Sequence, residues 1–230
     1  MFGKVIYKEN LSEETWLLGI ELPEVAIFVP GQFVSLKVSE EGLRRSYSVA
    51  SLPGKKMIEL VINVSPMGLG SKYILGIKVG DSVEVLGFLG KFVVDVKELT
   101  GEKELLFVGT GTGMVPLKPM IEDLLINKKF HGRINLIWGM RYETDLFWVA
   151  ELDKLQREYD NFCMEITLSR PGERWPGVQG HVGDVIGDLR IEGNKTIAFL
   201  CGNSEMIMEI NDLLTNKGVP KRQILYERFA

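Results

Sequence analysis

The chain has 230 residues, 45% hydrophobic and 25% charged, and Lys+Arg 27 against Asp+Glu 31 leaves a net charge of −4. That composition buries a core in one large or two small domains and lacks the basic excess of a nucleic-acid binder. Two cysteines, Cys163 and Cys201, are too few for a disulfide framework, a zinc site or an iron–sulfur cluster.

Free thiols fit a reducing cytoplasm. No run approaches the ~18 apolar residues of a membrane span, and the N-terminus MFGKVIYKEN has no apolar stretch of signal-peptide length. The expectation is a cytoplasmic protein with no membrane span.

Residues 1–99 read as short alternating runs: KVIYKEN, TWLLGIEL, FVSLKV, RSYSVAS, MIELVINV, SVEVLGF and KFVVDV. Turn residues separate them at Pro30-Gly31, Pro53-Gly54, Gly80 and Gly90. Seven such runs predict a closed antiparallel barrel. The fourth carries Arg45, Ser46, Tyr47 and Ser48, a fixed cation and an aromatic ring two residues apart. On a strand these two share a face, which suits a ligand both anionic and flat. Further on, GLGSKYIL at 68–75 sets glycines and a serine before a short helical pattern. Its peptide N–H groups and the Ser71 hydroxyl suit a second anion, or Ser71 is simply an N-cap.

After GEKELLFVGTGTGM the rhythm changes. ELLFVG, MIEDLLINKK, INLIWG, WVAELDKLQREY, FCMEITL, a loop rich in Gly and Pro, TIAFLCG and EMIMEINDLLTNK alternate strand and helix. This predicts βαβ units around a parallel sheet covered on both sides, with the domain boundary near Leu99–Lys103. GTGTG at 109–113 lies between a strand and a helix, where backbone N–H groups cradle phosphate. Its spacing departs from G-x-G-x-x-G, and Trp138-Gly139 stands where an acidic residue would read a ribose. Pro116 and Pro119 are placed in the first turn of the following helix. Cys201-Gly202 ends the last apolar strand, at the edge where open α/β sheets bind ligands, though a cysteine there also serves packing. The tail YERFA brings Glu227, Phe229 and Ala230. His181 reads as a structural or surface histidine and Trp175 as a loop anchor. With no G-x-S-x-G, H-E-x-x-H or G-x-x-x-x-G-K-[ST] and two histidines, the chemistry is expected to reside in a bound cofactor.

Taken together, in this order and spacing, these segments resemble the ferredoxin–NADP⁺ reductase superfamily of flavoproteins over nearly the whole chain. The resemblance implies an antiparallel β-barrel FAD-binding domain over residues 1–99 and an α/β parallel-sheet NAD(P)-binding domain over residues 103–230. It implies FAD and NADP(H) or NAD(H) as cofactors, and no metal. Arg45-Ser46-Tyr47-Ser48 matches R-x-Y-S, which puts Tyr47 against the isoalloxazine, Ser48 near its N5 and Arg45 at the pyrophosphate. Strand alternation sends Ser48 to the face opposite Tyr47, so the ligand is expected across the strand's end. Val61, Ile62 and Asn63 align with the strand edging the flavin, and Gly68-Leu69-Gly70-Ser71 with G-x-x-S.

In the second domain, Thr110, Gly111, Thr112 and Gly113, with Pro116, match the loop for the nucleotide pyrophosphate. Ser169-Arg170 falls near the adenosine ribose, where Arg170 or Arg174 pairing with a 2′-phosphate would favour NADPH; the same arginines also suit a phosphate of NADH or open solvent. Cys201-Gly202 matches the C-G pair beside the nicotinamide. Glu227 and Phe229 resemble the plant-type ending of acid, any residue and aromatic, with Phe229 in place of tyrosine and Ala230 after it. Nicotinamide is then expected to meet the flavin in a slot set by Tyr47 and Phe229, with Ser48, Cys201 and Glu227 positioning and polarising and Glu227 offered as a proton relay. Since no cysteine-rich segment is present, electrons are expected to pass to a separate carrier: a ferredoxin, a flavodoxin or an oxygenase component. The alternatives are a reductase that releases free reduced flavin, and a non-catalytic flavoprotein subunit docked on a larger redox complex.

Overall fold

In the computed structural model, which describes residues 1–65, 67–99 and 103–229, the alternating runs of the N-terminal part become six strands. These are β1 (Phe2–Ser12), β2 (Thr15–Glu21), β3 (Phe33–Lys37), β4 (Arg44–Ser48), β5 (Met57–Asn63) and β6 (Ser82–Leu89), with helix α1 (Leu69–Gly76) before β6. The sheet order is β4-β3-β6-β1-β2-β5, and each neighbouring pair is antiparallel. The two ends of that order meet: Val49, just past β4, bridges Leu60 of β5, and Ala50 N donates to Glu59 O at 2.8 Å. Alternation sends Val5, Leu18, Ile20, Val34, Leu36, Ile58 and Leu60 inward, each fully buried. The result is the predicted barrel.

The seventh run, KFVVDV, is not a strand. Gly90, at φ +104, ends β6, and Phe92 is used as a buried anchor instead of a ladder residue. Asp95 then caps a 3₁₀ turn over Val96–Glu98, accepting from Lys97 N at 2.9 Å. Of the predicted boundary, residues 100–102 lie outside the described residues, as does Ala230.

The C-terminal part builds a second sheet from β7 (Glu104–Thr110), β8 (Ile134–Met140), β9 (Phe162–Leu168), β10 (Val178–Gln179), β11 (Thr196–Gly202) and β12 (Ile224–Arg228). Its order is β10-β9-β8-β7-β11-β12, and every pairing is parallel. The chain steps outward from β7 to β10, then returns to the other flank of β7 as β11. That reversal is a topological switch point, the place where sheets of this kind bind ligands at their C-terminal edge. Connecting helices are α2 (Met114–Glu122), α3 (Val149–Glu158), α4 (Val182–Asp188) and α5 (Ser204–Asn216). Pro116 falls in the first turn of α2, whereas Pro119 sits in its interior, correcting its predicted place. There the ring forfeits the bond to the Val115 carbonyl, and the helix widens to π geometry over Asp123–Asn127.

Two compact units result, Met1–Val94 with Lys118–Asp123, and Asp95–Leu117 with Leu124–Ala230. Among the described residues no helix is long and apolar enough to cross a membrane, and no group of three or more His, Cys, Asp or Glu is placed to hold a metal ion.

Candidate functional site

In the first unit the site forms around β4. Arg45 is opposite Leu36 and Tyr47 opposite Val34 on β3. The two arginines of the run do different work. Arg44 is tied into the barrel, donating to Glu84 of β6 and, at 3.1 Å, to the Ser35 carbonyl. Arg45 is exposed, and among the described residues its guanidinium donates only to the Arg44 carbonyl, at 2.8 Å. Its remaining N–H donors face outward. Tyr47 is half-buried, and burial pushes its hydroxyl pKa up to about 12 against the opposing pull of Arg45, so the ring stays neutral and its O–H remains a donor.

Gly70 links this strand to α1. A Cβ at Gly70 would overlap the Tyr47 hydroxyl and lie 3.1 Å from Arg45 Cγ. With glycine at this position the first turn of α1 abuts both side chains without displacing either. The same contact puts Arg45 and Tyr47 on one face. The N-cap of α1 is Gly68, with no side-chain cap and no acidic residue in the first turn. Ser71 therefore is not the cap; it sits within the helix and is 8% exposed. The early peptide N–H groups of α1 are left for an anion, the arrangement that binds phosphate at helix N-termini.

Ser48 ends β4, and its buried hydroxyl has no hydrogen-bond partner among the described residues. Buried polar atoms are seldom left so, and such a hydroxyl is a group with hydrogen-bonding capacity to spare. Ser46 between them is exposed. On β5, Val61, Ile62 and Asn63 pair with β2 on one side and run past the Val49–Leu60 bridge as the sheet's edge, with no strand on the other side among the described residues. Asn63 is turned to its own loop, accepting from Ser65 N at 2.8 Å.

In the second unit the turn after β7 and the end of β11 interlock. A Cβ on Gly113 would overlap the Cys201 carbonyl, and one on Gly202 the Thr110 hydroxyl. Gly111 turns at φ +57, and its carbonyl accepts from Trp138 Nε1 at 3.1 Å. Trp138 thus holds the glycine turn, a role invisible in the sequence, where it marked only a missing acid. Thr110 Oγ1 is likewise buried with no hydrogen-bond partner among the described residues. Thr112 lies in the 3₁₀ turn Gly111–Gly113 that leads into α2.

β12, which sequence reasoning left as a tail, pairs Cys201 with Glu227 and Gly202 with Arg228. Phe229 N donates to the Gly202 carbonyl at 2.9 Å, so the aromatic residue is docked at the strand end. Cys201 is fully buried; burial, then the neighbouring Glu227 charge, raises its thiol pKa well above the usual range. Burial also raises the Glu227 carboxyl. The thiol is therefore neutral near pH 7.

At the ends of β8 and β9, Ser169 N donates to Met140 O at 3.0 Å and Arg170 N to Arg141 O at 2.9 Å. Arg170 Nη1 donates to the Tyr142 hydroxyl at 3.3 Å. Arg141 and Tyr142, exposed beside Arg170, were not foreseen; their place after a strand at the ligand edge was the available signal. Arg174 is exposed in the next loop. Trp175 anchors that loop, donating to Val178 O at 3.1 Å. His181 N-caps α4, its own N–H donating to Asp184 at 2.8 Å.

Residues 3–94 match the family described as the oxidoreductase FAD-binding domain, and residues 107–212 the oxidoreductase NAD-binding domain. The chain is 32% identical over 213 residues to ferredoxin–NADP reductase B of Sorangium cellulosum, covering 88% of this chain and 86% of that protein. It is 30% identical over 225 residues to the electron transfer component of toluate 1,2-dioxygenase from Pseudomonas putida, covering 96% and 65%. The crystal structure of the Amycolatopsis cytochrome P450 reductase GcoB superposes with a TM-score of 0.91 at 25% identity, over 99% of this chain and 68% of that one. The chain spans 50% to 65% of the length of several curated relatives that it matches.

Proposed function

Because the chain belongs to the oxidoreductase family that joins an FAD-binding to an NAD-binding domain, the ferredoxin–NADP⁺ reductase superfamily, we propose that it oxidises NAD(P)H and delivers the electrons to a separate carrier protein. The observation carrying this reading is the pair of orphaned buried hydroxyls, Ser48 Oγ and Thr110 Oγ1. One lies in each unit, each inside a segment matched to a cofactor motif.

FAD, when bound, would supply the redox chemistry between a two-electron nicotinamide donor and a one- or two-electron acceptor. The chain's residues bind and orient. Arg45 and the peptide N–H groups of Leu69, Gly70 and Ser71 take the pyrophosphate of FAD, and the neutral Tyr47 ring covers a flavin face. Ser48 Oγ supplies a hydrogen bond to the flavin edge, and the free edge of Val61, Ile62 and Asn63 supplies backbone contacts. In the second unit, Thr110 to Gly113 hold the nucleotide pyrophosphate. Cys201 and Gly202 line the nicotinamide site, and the neutral thiol gives it a small, weakly polar wall that excludes water. Glu227, with its raised pKa, holds a proton at its carboxyl more readily than a solvent-exposed acid. Phe229, fixed through its backbone, provides the movable aromatic cover.

Arg170, Arg174 and Ser169 meet the adenosine ribose. Arg170, oriented by Tyr142, favours a 2′-phosphate and hence NADPH. The carrier is a ferredoxin, a flavodoxin or an oxygenase component, and the free thiols of Cys163 and Cys201 suit the cytoplasm. The test is to purify the chain, identify its flavin, and follow NADPH and NADH oxidation with ferredoxin, flavodoxin and free FMN. We expect bound FAD, faster NADPH oxidation and turnover with a carrier protein. Turnover with free FMN alone would make it a flavin reductase, and no turnover with any acceptor a docking subunit.

A further inference from the structure

α1 is held at both ends, and the two attachments differ. At its N-terminal end Gly70 abuts Tyr47 and Arg45. At its C-terminal end α1 has no basic residue of its own in the last turn. The last carbonyls of a helix need partners from outside its ladder. Tyr73 O accepts from Ile77 N at 3.0 Å, while Leu75 O and Ile77 O accept from a single ammonium, Lys8 Nζ on β1, at 2.9 and 3.1 Å. The same ammonium lies 4.8 Å from the centre of the Trp16 ring, and Trp16 packs against the barrel core. Partial burial lowers the Lys8 pKa by desolvation; the two carbonyls and the ring face offset that cost. A cation at this end also complements the helix dipole.

We propose that Lys8 is a positioning residue for the phosphate-bearing part of the flavin cofactor. From β1 it clamps the C-terminal end of α1 and so aims the free N–H groups at the other end. A helix of eight residues is about 12 Å long and stiff, so release at one end tilts the donors at the other. This rests on the reading of the first unit as the FAD site. It assigns a role to a lysine that touches no cofactor motif and lies about 60 residues upstream of the donors it orients.

The test compares Lys8→Met, Lys8→Gln and Lys8→Arg in the full chain, titrating FAD and, separately, riboflavin, which has the ring and no phosphate. Amide exchange of residues 69–76 is followed without flavin. FAD affinity should fall about three- to tenfold in Lys8→Met and Lys8→Gln. Riboflavin affinity should be unchanged, α1 amides should exchange faster, and Lys8→Arg should restore both. Equal losses for FAD and riboflavin would reduce Lys8 to a general stability residue, and unchanged FAD affinity would overturn the proposal alone. If the unaltered chain binds no FAD, the cofactor reading falls and this one with it.

Discussion

In the barrel, a Cβ at Gly70 would collide with the tip of one side chain, the Tyr47 hydroxyl; in the parallel-sheet unit, a Cβ at Gly113 would collide with main chain, the Cys201 carbonyl. Both glycines sit in the segments that resemble cofactor loops, and either could be described as a phosphate-binding glycine. Their neighbours separate the two cases. The Tyr47 hydroxyl is the far end of a side chain that can swing, so the barrel accommodates intrusion by moving that ring. The strand end at Cys201 cannot, so the second unit would lose the junction between β7 and β11. Similar glycine-rich strings thus make room for a side chain in one unit and for main chain in the other.

The largest expected effect breaks this contrast if it is wrong. Gly113→Ala should destabilise the second unit by about 3 kcal/mol, the upper end of ordinary overpacking, because a backbone carbonyl has no rotamer to escape into. Denaturant unfolding followed by tryptophan fluorescence and circular dichroism measures it; a loss below ~0.5 kcal/mol would mean the strand ends are pliable. Next comes Arg45→Ala. Its outward donors are worth roughly 1.5–3 kcal/mol to a charged partner, so FAD affinity should drop about ten- to a hundredfold with unfolding unchanged. Smallest is Ser48→Ala. Removing an unsatisfied buried hydroxyl should leave the flavin-free protein as stable or about 1 kcal/mol more so, while FAD binds several-fold more weakly. A clear loss of stability without flavin would show that the hydroxyl has a partner in the protein itself.

How far the sequence reveals this arrangement depends on the kind of signal. The barrel and the βαβ alternation are legible because period two and buried apolar runs reflect burial directly. KFVVDV misleads because Phe92 is buried as an anchor without pairing in a ladder, and apolarity does not distinguish anchoring from pairing. α4 hides within a Gly- and Pro-rich stretch because Gly183 and Gly187 lower its helix signal, and it is rescued by its His181–Asp184 cap and by Val182 and Ile186 in the core. β12 is a five-residue strand whose pairing with β11 depends on a partner over twenty residues away, so local pattern is silent. At the candidate site, residue types at fixed spacing pointed to Arg45, Tyr47 and Gly70. Trp138 and Lys8 act through hydrogen bonds to backbone carbonyls, which any sequence position can supply.

The strand order of the second sheet has a bearing on biosynthesis. β7 lies between β8 and β11, so once residues 104–110 leave the ribosome one flank waits for a neighbour not translated until residues 196–202. At about 5–20 residues per second that interval is on the order of ten seconds. Throughout it, an apolar central strand stands with a bare hydrogen-bonding edge, the condition that invites pairing with other nascent chains. In the barrel β1 faces a comparable wait, since it pairs with β6 on one flank.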